Sequence, residues 1–210
     1  MMVFITHCWK SASLVKTGLR WLVLWVCLAQ VAVHAQSNPE ITQFSLENGS
    51  DGLRLSAALS FDLSPQIEDA LNRGVPIAFV AQADVMRQRW YWIDKKVSAS
   101  ERHMRLSYQA LTRKWRLNSA AGAMSSSGLG LVLNQTFDTL ADAMGAVKRV
   151  NRWQIAEAGE LDPAGTYQVE FRFQLDVSQL PRPLQIGAIG QADWNMTVSS
   201  RQPVPSESAR

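Results

Sequence analysis

Apolar and polar residues alternate with period two over two long stretches of the chain. Leu53, Leu55, Ala57, Leu59, Phe61 and Leu63 fall on one side, and Arg54, Ser56, Ala58, Ser60 and Asp62 on the other. Further on, Tyr167, Val169, Phe171, Phe173, Leu175 and Val177 alternate with Thr166, Gln168, Glu170, Arg172, Gln174 and Asp176. A two-residue period sends successive side chains to opposite faces of a strand, so each stretch predicts a strand with one buried and one wet face. Burial on one side only belongs to antiparallel sheets, because parallel sheets are covered on both. Weaker runs predict strands over 41–47, 77–86, 102–110, 113–117, 149–155 and 194–198.

Two stretches carry helical spacing instead. In SPQIEDALNRG, Ser64 is placed to cap free amides, Pro65 suits the first helical position and Gly74 supplies a stop. Ile67, Ala70 and Leu71 make its apolar stripe. In TFDTLADAMGAVKR, Phe137, Leu140, Ala141, Met144 and Val147 share a face, with Asp138 and Asp142 early and Lys148 and Arg149 late, as the helix dipole favours. Residues 118–128 are small and polar and predict a mobile loop; residues 200–210 hold too little apolar surface to order and predict a disordered tail. The expected fold is mainly β (α+β): an antiparallel β-sandwich or partly closed barrel with two short packed helices. Phe171, Phe173, Leu55, Leu59 and Phe61 are its expected core.

The first 35 residues read differently. Lys10, Lys16 and Arg20 precede an apolar run from Trp21 to Val33, and Val33-His34-Ala35 makes a small-residue cleavage site before Gln36. The run is shorter than the roughly 20 residues a spanning helix needs. Residues 1–35 therefore predict a secretory signal peptide, residues 36–199 a single β-rich domain, and export to the periplasm, with no spanning segment after cleavage. Cleavage removes Cys8 and Cys27 and leaves His103 as the remaining histidine. It also removes three basic residues, leaving 18 basic against 18 acidic. Neither a disulfide nor a thiolate metal site is then available, and no metal or cofactor is expected.

Charge is uneven within that neutral chain. From Arg87 to Arg116 stand nine basic and two acidic residues, a segment charge of +7. Trp90, Tyr91, Trp92, Tyr108 and Trp115 are interleaved with it, so cation–π pairs and contact with an anionic partner are both open. Arg87, Arg89, Trp90, Trp92, Arg105, Arg113 and Trp115 are the candidate binding residues. The competing reading is purely structural, since aromatics favour strands and pair across them. Alternation also breaks near Arg87, which predicts either a bulge or a strand that outruns the core. Nucleic acid does not suit an exported, neutral chain.

Catalytic signals are sparse. The sequence has no Gly-x-Ser-x-Gly, no phosphate-cradling glycine loop and no histidine pair at ligand spacing. His103 falls on the polar side of its run, opposite Met104, Leu106 and Tyr108. Asp62, Glu68, Asp69, Asp84 and Asp94 are the acids available for a glycosidase pair, which needs two carboxyls about 5–10 Å apart across a cleft.

Taken in order, LSPQIEDALNRGVPIAF, RQRWYWIDKKV, RLSYQALTRKWRL, FDTLADAM and LDVSQLPRPLQIGAI resemble an exported proteobacterial family known as domain of unknown function 4390. The resemblance runs roughly from Leu53 to Trp194. It implies a bacterial envelope location and a membrane signalling neighbour such as a sensor kinase. It brings no activity, cofactor or catalytic residue. Two readings follow: a periplasmic binding or accessory module that contacts an anionic envelope component or a membrane partner, and, as the alternative, a carboxylate-dependent envelope glycan hydrolase.

Overall fold

The computed structural model describes residues 38–89, 91, 93–122, 132–188 and 194–205. Among the described residues nine strands follow one another: β1 (Glu40–Gly49), β2 (Gly52–Ser60), β3 (Ile77–Arg87), β4 (Lys95–Gln109), β5 (Lys114–Ala121), β6 (Val132–Phe137), β7 (Arg149–Glu157), β8 (Tyr167–Leu175) and β9 (Thr197–Pro203). Helices α1 (Pro65–Asn72), α2 (Leu140–Val147) and α3 (Arg182–Ala188) lie between them, with a 3₁₀ turn over Val177–Gln179. The strands build two antiparallel sheets, β1-β2-β7 and β6-β5-β4-β3-β8-β9. The expected sandwich is therefore what forms; the sheets are separate and no barrel closes.

The alternation in the sequence sets the inner faces. Leu53, Leu55 and Leu59 of the small sheet, Phe61 just after β2, and Phe79, Phe171 and Phe173 of the large sheet are buried together. Phe79 stacks on Phe173 with ring centroids 5.8 Å apart, and Phe61 tilts against Phe173 at 5.6 Å. Phe44 of β1 reaches Phe171 of β8 at 5.9 Å, so β1 lies over β8. On the opposite side, Ser98 and Ser100 of β4 donate to the Ile155 carbonyl of β7, at 2.8 and 3.2 Å. The three-stranded sheet thus ends against β4, and β5 and β6 extend past it.

Several expectations change. The loop expected over 118–128 starts later, because β5 continues to Ala121; residues 123–131 are outside the described part. Val132–Phe137 forms β6, so Phe137 belongs to a strand and not to the helix that follows. That helix begins at Leu140, with Thr139 as cap accepting from the Asp142 amide at 3.1 Å. Val177 leaves the strand pattern for the 3₁₀ turn, and α3 was not foreseen. The last strand starts at Thr197 and runs to Pro203, into the segment expected to be a disordered tail. Helix α1 forms as its signals predict: Ser64 Oγ accepts from the Ile67 amide at 3.4 Å, and Ile67, Ala70 and Leu71 are buried. Gly74 ends it with φ 84°, a left-handed conformation that glycine adopts without steric conflict.

Candidate functional site

The break in alternation near Arg87 is resolved by the β3–β4 hairpin. Val85 pairs with Ser98 but Met86 with Lys96, so Val97 is the extra residue of a bulge on β4. Pairing between the two strands ends at Arg87 opposite Lys95, and Gln88, Arg89, Tyr91, Ile93 and Asp94 lie outside the strands. At the base of this turn the cations are neutralised. Arg87 pairs with Asp162 at 3.0 Å beside the Tyr167 ring, and Lys96 pairs with Asp84 at 2.7 Å. At the tip they are not: Arg89 and Lys95 form no ion pair among the described residues. Asp94, itself exposed, accepts the Arg89 backbone amide at 3.3 Å. Between these cations Tyr91 is 67% exposed and Ile93 is 91% exposed. Trp90 and Trp92 lie outside the described residues.

The remaining candidate residues stand elsewhere. Arg105 is on the outer face of β4, where its guanidinium donates to Gln179 at 2.5 Å and fastens the 3₁₀ turn. Arg113 sits in the β4–β5 turn with φ 53°. Trp115 is buried against Tyr108, ring centroids 4.8 Å apart. Between the two turns β4 runs for 15 residues, roughly 45 Å at the usual strand rise. Arg87 and Arg89 share one end of the hairpin, Arg113 and Trp115 the other, and no single site gathers all of them.

Of the candidate acids, two share a hollow and the other three stand apart from it. Asp62 and Glu68 line one solvent-open hollow, where Lys148 stands 4.0 Å from Asp62. Asp69 is paired with Arg73 on α1, Asp84 with Lys96 on β3, and Asp94 belongs to the hairpin tip. His103 faces Glu101 at 3.4 Å on the outer side of β4, and no hydroxyl bonds its ring among the described residues. No group of three or more potential metal ligands forms among the described residues.

One feature was missed from the sequence. Because β5 and β6 extend past the small sheet, their inner faces are open and form a cleft of about 630 Å³. Met104, Leu117, Leu133 and Phe137 supply apolar floor, α2 one wall, and Arg149 and Asn151 of β7 another. Arg102 is also on this floor, paired across to the buried Ala81 and with its guanidinium 5.0 Å over the Trp153 ring. The signal was present: Arg102 has the same parity as Met104, Leu106 and Tyr108, a charged residue at an inward position.

A family model described as Domain of unknown function (DUF4390) matches residues 36–203. No curated protein and no solved structure matches the chain.

Proposed function

The chain belongs to the DUF4390 family, and from that premise we propose that it is an exported, periplasmic binding or accessory module whose β3–β4 tip rests on an anionic membrane surface. The observation that carries this reading is the tip itself: exposed Tyr91 and Ile93 set between Arg89 and Lys95, two cations with no carboxylate partner. A tyrosine favours the bilayer interface, where its ring is buried and its hydroxyl stays wet, and an aliphatic side chain beside it gains by leaving water. Each nearby cation adds about 1 kcal/mol of attraction to an anionic leaflet. No described helix is long and apolar enough to cross a membrane.

Sedimentation with vesicles tests the reading. Phosphatidylglycerol vesicles should retain the protein at low salt and phosphatidylcholine vesicles should not. Retention should fall as salt shortens the screening length from about 10 Å at 0.1 M to about 3 Å at 1 M. Arg89→Glu with Lys95→Glu should abolish it. No retention on anionic vesicles at low salt, or retention indifferent to the double charge reversal, would overturn the proposal.

A further inference from the structure

The open inner face of β4, β5 and β6 raises a separate question, because it holds a charge in a place where charges are normally compensated. Arg102 is partly buried, and its guanidinium makes neither a hydrogen bond nor an ion pair among the described residues. Its neighbour across the sandwich is the Trp153 ring, itself buried. A ring face attracts the cation but accepts none of the five in-plane N–H donors, which need oxygen acceptors when water is partly excluded. Burial accordingly works against the Arg102 charge and lowers its pKa. Arg149, Asn151 and Ser119 line the same cleft and add donors, while Asp142, the one carboxylate among its described lining residues, accepts from the Thr139 hydroxyl at 2.7 Å.

The rest of the floor is apolar apart from Ser119 and Gln135. Leu133 is 59% exposed within the cleft, on a strand whose outer neighbour is absent from the sheet. Met104, Leu117 and Phe137 continue the apolar strip from it. An unpaired guanidinium at one part of a cleft and an uncovered apolar strip at another are complementary to a molecule with both characters.

We propose that this cleft binds an anionic amphiphile, a carboxylate or phosphate head held by Arg102 with Arg149 and an apolar chain laid over Leu133, Leu117 and Phe137. A planar guanidinium meets either head through paired N–H donors. The site stands apart from the hairpin tip: Arg102 is seven residues along β4 from Lys95, about 23 Å by strand rise. The two sites therefore fail or hold independently.

Calorimetric titration of the full chain with laurate, dodecyl phosphate, dodecanol and inorganic phosphate, each amphiphile below its micelle-forming concentration, tests the proposal. Laurate or dodecyl phosphate should bind, the preferred one identifying the head, and dodecanol and inorganic phosphate should bind at least tenfold more weakly. Arg102→Gln should weaken the anionic amphiphile by about 10- to 100-fold, the range for hydrogen bonds to a charged group, and leave dodecanol unchanged. Should Arg102→Gln fail to fold, Leu133→Asp decides, since it places a carboxylate at an exposed point of the cleft; it should abolish binding of the anion. Binding of dodecanol as tight as that of laurate, inorganic phosphate as tight as dodecyl phosphate, or amphiphile binding untouched by these substitutions would overturn the proposal.

Discussion

Glu170 shows how single charges are used on the outer faces of this sandwich. Its carboxylate accepts from Arg201 at 2.9 Å and from Arg172 at 3.1 Å, joining β9 to β8. The hydrogen bond from Arg201 is the main cause that holds its pKa below the ordinary glutamate value of 4.5; desolvation opposes it, and the charges of Arg201 and Arg172 reinforce it. A carboxyl whose pKa is lower folded than unfolded stabilises above the unfolded value and loses that contribution as pH falls through the folded one. Urea unfolding of wild type and Glu170→Gln should therefore differ at pH 7, by about 1 kcal/mol or less for so exposed a pair. The difference should hold down to about pH 4.5 and vanish below it. A difference that grew on acidification would contradict the pairing. Individual charges of this kind were only half legible in the sequence. Alternation told which face Glu170, Arg172 and Arg102 take; it could not tell which faces have something packed over them. Arg172 ends up in water and Arg102 under the edge of the second sheet for that reason alone.

Strands with strict alternation were the most legible elements, because period two admits one burial pattern and a slip by one residue would exchange the faces. In β8, Phe171 is fully buried while Arg172 is exposed. Phe171→Ala should cost about 3–5 kcal/mol, transfer plus cavity, and Arg172→Ala under about 1 kcal/mol. Urea midpoints at constant slope compare the two directly; equal losses would mean the register is wrong. Helix α1 was equally legible, since its cap, its first-turn proline and its terminal glycine all point the same way. Strand β6 was not. Its six residues, VLNQTF, are mostly exposed, so no buried stripe betrays them; their strand state comes from pairing with β5, a tertiary effect. Helix α3 and the 3₁₀ turn were hidden similarly, as short segments lacking a full apolar period. At the β3–β4 turn, the aromatic run reads as strand by propensity, whereas β3–β4 pairing continues past the bulge at Val97 only as far as Arg87 opposite Lys95.

At the scale of the whole molecule, the unequal sheets decide what is left exposed. Three strands cover part of a six-stranded sheet, which leaves the inner-face cleft on one flank. The sandwich class could be read from strand patterning. The split into three and six strands could not, because it depends on which strands pair. The opposite ends of β4 provide a direct comparison for the membrane reading. Ile93 is 91% exposed beside the uncompensated cations, and Leu111 is fully exposed in the turn at the far end. From residue 36 onward the sequence contains no cysteine, so Ile93→Cys and Leu111→Cys each accept a single environment-sensitive fluorophore. With phosphatidylglycerol vesicles at low salt, the label at position 93 should shift its emission to the blue and be quenched by lipid-borne quenchers. The label at position 111 should keep its aqueous spectrum. Equal responses at both ends, or none at position 93, would contradict the assignment of the tip to a membrane surface.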